Sequence, residues 1–119
     1  MSTTTHQSSL AAPYYEYVKN GTKIYELRIY DDKRKSIKIN DLWQFSSNNN
    51  KKQSFITKVV NIKTYKSFRE AIQDTGLVQL LPQITDLEEG IKIYESFDNN
   101  NYKINAEIYG VVKFKLEVL

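Results

Sequence analysis

Gly21-Thr22-Lys23-Ile24-Tyr25-Glu26-Leu27-Arg28-Ile29-Tyr30 is the stretch on which the reading of this chain turns. From Ile24 to Tyr30 the alternation has a period of two, the mark of a β-strand. Tyr25, Leu27 and Ile29 fall on one face, and Ile24, Glu26, Arg28 and Tyr30 on the other. Glu26 and Arg28 therefore point the same way, about 7 Å apart along the strand, close enough to share one ligand. Lys23 stands at the strand's mouth. A strand that only builds a core has no need of a lysine, a glutamate and an arginine within six positions.

Working outward, Pro13 suits the first turn of a short helix over Tyr14–Lys19, because its missing N–H costs nothing there. Asn20-Gly21 supplies the left-handed stop. Beyond the strand, Asp31 to Lys35 reads as a polar connection. Ile37 and Ile39 alternate with Ser36 and Lys38 and suggest a short edge strand. Leu42–Phe45 is a strand, Ser46–Gln53 a hairpin loop, and Phe55–Tyr65 a long β-branched strand. Ser67 caps a helix beginning at Phe68, with Glu70 completing a capping box and Gly76 as its stop. Thr85 or Asp86 caps a helix from Leu87 to Phe97, in which Leu87, Ile91, Tyr94 and Phe97 form an apolar stripe. Asp98–Asn101 is a loop. Val112, Phe114, Leu116 and Val118 then mark the last strand.

The expected fold class is α+β, mainly β: about five to six strands with two to three short helices. A small barrel is favoured because closure removes exposed strand edges. Residues 1–9 are expected to be a flexible tail with a short strand near its end, and residues 10–119 a single domain. The chain has 119 residues, 40% of them apolar, with nine tyrosines and five phenylalanines, enough for a core.

Composition also excludes function classes. There is no cysteine and only one histidine, His6, so no metal site is expected and no cofactor is implied. No apolar run reaches the roughly 20 residues of a membrane helix. The N-terminus shows no basic and apolar leader pattern, so the expected location is intracellular, cytoplasmic or nuclear, not secreted. The net charge of +3 permits a polyanionic partner. A monomer is expected.

From Pro13 onward the chain resembles the ASCH domain family of the PUA-like superfamily. The resemblance rests on a helix ending in Gly21, the Gly-x-Lys-x-x-Glu-x-Arg pattern of Gly21, Lys23, Glu26 and Arg28, and the basic turn Tyr30-Asp-Asp-Lys33-Arg34. Asn40-Asp41 stands where the family has Gly-Asp. Tyr65-Lys-Ser67-Phe68 and Tyr109-Gly110-Val-Val match further on. The resemblance covers about residues 10–119. It implies a PUA-like pseudo-barrel with a cleft beside the first helix and the Lys23–Arg28 strand, and RNA or a modified nucleotide as partner.

The expected ligand contacts are Lys23, Glu26, Arg28, Tyr30, Lys33, Arg34, Asp41 and Ser67. Arg28 offers a planar fork for phosphate or a base edge, and Glu26 accepts from an exocyclic amine. Lys33, Arg34, Lys35, Lys38, Lys51 and Lys52 read either as a phosphate-tracking rim or as a solvated surface. Asp41 reads first as a turn-fixing residue, Ser67 first as a helix cap, and Trp43 as core. Tyr14, Tyr15, Tyr17, Tyr25 and Tyr30 read mostly as packing, with one or two available to stack on a base.

One bacterial branch of the family hydrolyses acetylated cytidine. Its catalytic lysine matches Lys23, its threonine falls at Glu26, and its glutamate has no secure counterpart among Gln79, Glu88 and Glu89. Hydrolysis of an acylated nucleoside or of RNA by Lys23 and Glu26 is therefore the alternative to binding.

Overall fold

The fold is taken from a computed structural model that describes residues 3–119. Its elements, in chain order, are β1 (Thr5–Leu10), α1 (Tyr14–Lys19), β2 (Tyr25–Ile29), α2 (Asp32–Lys35), β3 (Leu42–Ser47), β4 (Ser54–Tyr65), α3 (Phe68–Thr75), α4 (Leu87–Ser96), α5 (Asn101–Tyr109) and β5 (Val111–Val118). The five strands make one sheet in the order β1-β3-β4-β5-β2. β1 runs parallel to β3 and every other pairing is antiparallel.

The sheet is curled into a half-barrel, the α+β, mainly β, PUA-like pseudo-barrel. A register shift between Val59 and Asn61 in β4 adds local twist to that curl. Inside it, Trp43, Phe45, Val59, Val112 and Phe114 meet Tyr15 and Val18 of α1. On the outer face, Leu27, Ile29 and Val111 pack against Phe68, Ile72, Ile91, Tyr94 and Tyr102 of α3, α4 and α5. Alternation along β5 feeds both cores, Val111 the outer and Val112, Phe114 and Leu116 the inner, while β2 gives Leu27 and Ile29 to the outer one. The ends of the sheet, β1 and β2, do not pair with each other, and the seam between them becomes the site.

The helix signals at α3 and α4 resolve as read. Ser67 Oγ accepts from the Glu70 amide at 3.2 Å, Asp86 accepts from the Glu89 amide at 2.9 Å, and Gly76 ends α3 at φ 86°. The Glu70 carboxylate reaches the Lys66 amide at 3.1 Å, one residue short of a full capping box.

Four expectations need correction. The short strand expected near the end of the tail takes in all of residues 5–9 as part of β1: their Ser/Thr-rich sequence is held by main-chain pairing with β3, which needs no apolar pattern. The tail reading at residues 1 and 2 lies outside the described residues. Ile37–Ile39 is a turn rather than an edge strand, with Asn40 at φ 78° and the Asp41 amide donating to Lys38 O at 3.0 Å. Ile37 is buried and Ile39 exposed. The connection after β2 is helical, because the Asp31 carboxylate caps it at the Arg34 amide. Five helices form instead of two or three. The one missed entirely, α5, has no side-chain cap and buries only Tyr102 and Ala106.

Candidate functional site

α1 ends at Asn20 and Gly21, the latter at φ 83°, and the chain turns back so that the Lys23 amide donates to Tyr17 O at 2.9 Å. This turn drives the Lys23 side chain inward, leaving the residue 3% exposed. Its Nζ donates to Tyr25 O at 2.6 Å, to Leu80 O at 2.8 Å and to Tyr94 Oη at 3.3 Å. Glu26 Oε1 lies 3.6 Å from the same ammonium. The other carboxylate oxygen, Oε2, accepts from Arg28 Nη2 at 2.9 Å. The guanidinium also lies over Trp43, 5.7 Å from the ring centroid. The trio is thus a buried ion triad, cation–anion–cation, carried by one strand and the turn before it.

Its electrostatics follow from burial and pairing. Burial pulls the Lys23 amine down to about 8 even though Glu26 opposes the shift, so it is still mainly protonated at neutral pH. Burial alone would raise the Glu26 carboxyl, but Arg28 and Lys23 outweigh it and hold the group below its ordinary range. Burial opposes the charge on Arg28, while Glu26 sustains it. Burial keeps the Tyr94 hydroxyl well above the ordinary phenol range, a neutral partner for Lys23. With Glu26 ionised, two cations face one anion and the site carries an excess positive charge.

The triad opens onto a cavity of about 460 Å³, within the usual span of small-ligand sites. Glu26, Leu27 and Arg28 of β2 form one side, and Ser9 and Leu10 of β1 the other. Tyr14, Tyr94, Phe97 and Tyr102 supply an aromatic wall. Phe97 is its hub, edge-on to Tyr14 at 6.1 Å, Tyr94 at 5.7 Å and Tyr102 at 5.9 Å.

Of the expected ligand contacts, only Lys23, Glu26 and Arg28 line this cavity, and of the tyrosines weighed for stacking, only Tyr14 does. Tyr30 sits at the far end of β2, in a groove with Thr64 and Gly110, under the Lys35 ammonium. Lys33 and Arg34 stand on α2 beside a hollow of about 60 Å³ that also includes His6 and Trp43. Arg34 is tied to Asp31 at 2.8 Å. Asp41 fastens the turn before β3. It accepts from the Lys38 amide at 2.9 Å, His6 Nε2 at 2.8 Å and the Thr4 amide at 3.4 Å. Burial would raise its carboxyl; the His6 and amide hydrogen bonds outweigh that and lower it. Ser67 is the cap of α3, away from the cavity.

Sequence reasoning missed Ser9, Leu10, Asn48 and Tyr102 at the cavity and saw Tyr94 and Phe97 only as a core stripe. The available signal was the aromatic spacing Tyr94, Phe97, Tyr102, which becomes a wall once α4 and α5 are joined by a tight corner. Among the described residues, no group of three or more His, Cys, Asp or Glu is placed to hold a metal ion. No helix among them is long and apolar enough to cross a membrane.

A curled half-barrel with a charged, aromatic-walled cleft at its seam is the architecture of a PUA-like domain. The chain belongs to the ASCH domain family, whose model matches residues 9–118. The crystal structure of hypothetical protein PH0355 is 32% identical with a TM-score of 0.81, the match covering 97% of this chain and 99% of that one. The solution structure of protein PF0455 from Pyrococcus furiosus is 33% identical with a TM-score of 0.73, covering 97% of both chains. The ASCH protein from Zymomonas mobilis shares the fold at 10% identity and a TM-score of 0.64, over 95% of this chain and 66% of that chain. No curated protein matches the chain significantly.

Proposed function

We propose that this domain binds RNA or a modified nucleotide, with one base held in the cavity against Glu26 and Arg28. The observation that carries the reading is the excess positive charge of a nearly buried triad in which Arg28 gives one of its five N–H donors to Glu26. The remaining donors favour a phosphate or a carbonyl-rich base edge. In this reading Glu26 accepts from a base amine and the aromatic wall stacks on a base. Lys23, its three hydrogens directed at Tyr25, Leu80 and Tyr94, holds the floor and contributes charge. Lys33 and Arg34, outside the cavity, extend the positive surface for neighbouring phosphates.

Filter binding of single-stranded RNA over a salt series tests this. Affinity should fall with salt at a slope of about 0.7 per phosphate neutralised on a single strand. Lys33→Ala/Arg34→Ala should reduce that slope, and Arg28→Gln should weaken binding at every salt concentration. A flat salt response, or an Arg28→Gln variant that binds like wild type, would sink the proposal.

One observation favours a hydrolase as the second reading: an amine at about 8 lies 3.6 Å from a carboxylate, a pair able to move a proton near neutral pH. Release of cytidine from acetylcytidine, followed chromatographically, decides it. No turnover at high protein concentration removes it.

A further inference from the structure

The cavity is lined from both faces of β2. Glu26 and Arg28 reach it from the inner face, Leu27 belongs to the outer core, and all three border the same space. Only the edge of a strand gives access to residues of both faces, so the main-chain edge of β2 must itself border the cavity. Which residues present that edge follows from the ladder. β2 pairs with β5 antiparallel, Leu27 opposite Lys113. Leu116 N donates to Ile24 O at 2.8 Å and Tyr30 N to Gly110 O at 3.0 Å. In an antiparallel pair, hydrogen-bonded positions alternate, so Glu26 and Arg28 bond to β5 while Tyr25, Leu27 and Ile29 turn their N–H and C=O outward.

The protein uses the outward groups of Tyr25 itself: its carbonyl accepts from Lys23 and its amide points to Gln79 O at 3.4 Å. Leu27 is different. It is 2% exposed, and among the described residues its outward N–H and C=O meet no main-chain or side-chain partner. Among the same residues Ile29 is buried and unpartnered on the same edge, but of the two only Leu27 borders the cavity, and buried main-chain groups are almost always paired. Across the seam, the same logic turns Ser9 outward: in the parallel β1–β3 ladder the carbonyls of Thr4 and Leu10 accept from Leu42 and Asn48.

We infer that the free edge of β2 at Leu27 is a recognition element for a lactam: a ring C=O adjacent to an N–H. In an extended residue the N–H and C=O lie side by side and point the same way. Their complement is a cis amide, whose C=O accepts from the Leu27 amide and whose N–H donates to the Leu27 carbonyl. Uracil, guanine and hypoxanthine carry that edge. Cytosine and adenine carry no lactam, but a ring nitrogen beside an exocyclic amine gives them an acceptor and a donor in the same order, so removal of the lactam N–H, rather than a change of base, is the decisive comparison. The inference rests on the nucleotide reading above and names the class of base the site selects. Arg28 and Glu26, on either side of Leu27 in sequence, would then meet the groups flanking the lactam.

Labelled short single-stranded RNAs of uridine, N3-methyluridine, cytidine and adenosine, compared by fluorescence anisotropy at one salt concentration, test it. Uridine RNA should bind at least about tenfold tighter than N3-methyluridine RNA, the effect of leaving the Leu27 carbonyl unpaired, and no more weakly than cytidine or adenosine RNA. N3-methylation is the decisive change, because it removes the lactam N–H and leaves the phosphates intact. Equal binding of uridine and N3-methyluridine RNA, or tighter binding of cytidine RNA, overturns the lactam inference while leaving nucleic-acid binding in place. Absence of binding by all four overturns both.

Discussion

Replacing Glu26 by glutamine probes the triad most directly. The side chain keeps its size and loses its charge. In the wild type, Glu26 is 5% exposed, 2.9 Å from Arg28 Nη2 and 3.6 Å from Lys23 Nζ. At an effective dielectric of about 20, each contact is a gross attraction of about 5 kcal/mol, most of it offset by desolvation. Removing one member of a buried ion group leaves the others uncompensated, at a cost of about 3–5 kcal/mol. The two cations respond differently. Without Glu26 to raise it, the Lys23 amine falls below its present value of about 8 and sheds its proton near neutral pH. Arg28 cannot, and its guanidinium carries the remaining penalty.

The expected loss in Glu26→Gln is therefore about 3–5 kcal/mol at pH 7, read by urea denaturation followed by circular dichroism with the slope unchanged. It should shrink near pH 10, where wild-type Lys23 is itself neutral. Towards acid the sign is also fixed. The folded-state carboxyl lies below its unfolded value of 4.5, so its contribution is complete above that pH. It is lost as pH falls through the folded-state value, and the two proteins should converge there. A variant within about 1 kcal/mol of wild type at pH 7 would refute the reasoning, because a pair worth so little is the mark of an exposed ion pair.

Three further outcomes follow from other positions. Lys23 drops from 10.5 to about 8 on folding, so the unfolded chain binds the extra proton and stability rises with pH across that interval. Relative to Lys23→Met, the wild type should gain about 3 kcal/mol between pH 8 and 10.5 in denaturation curves. Tyr14→Leu keeps apolar bulk in the half-buried wall but removes the ring, and should weaken RNA binding by about 1–3 kcal/mol in anisotropy titrations if a base stacks there. Gly110 sits at φ 81°, and a Cβ there would meet Tyr65 O at 3.0 Å, so Gly110→Ala should lower stability by about 1–2 kcal/mol or more on thermal melting.

The site was half legible in the sequence, and the division has a physical cause. Glu26 and Arg28 were legible as partners because a period of two is a local property of a strand. The partners of Lys23 were not: Leu80 O lies 57 residues away and Tyr94 Oη 71, and neither is written in local spacing. β1 was hidden for a related reason. Its residues contribute main-chain bonds to β3 and little apolar pattern, so residues 5–9 read as tail with a short strand near its end, and the full strand emerges only once its neighbour is known. Ile37 and Ile39 erred the other way, where two β-branched residues mimicked an alternation that the turn at Asn40 breaks. Lys33, Arg34 and Asp41 follow the strand closely in the chain, yet α2 and the turn before β3 carry them out of the cavity.

The three members of the triad divide between architecture and recognition. Lys23 satisfies two main-chain carbonyls, one at the strand's mouth and one at Leu80, so its loss orphans buried acceptors as well as a charge. Glu26 links the two cations. Arg28 bonds Glu26, lies over Trp43 and meets the Tyr102 hydroxyl, but satisfies no main-chain group among the described residues, and its removal leaves Lys23 and Glu26 as a balanced pair. Arg28→Met, which also preserves apolar contact with Trp43, should therefore stay within about 1 kcal/mol of wild-type stability while RNA affinity falls. A protein selected for stability alone would have no reason to retain the second cation. Should Arg28→Met lose as much stability as Glu26→Gln, the excess charge would be a structural fastener, and the ligand would lose its strongest physical argument.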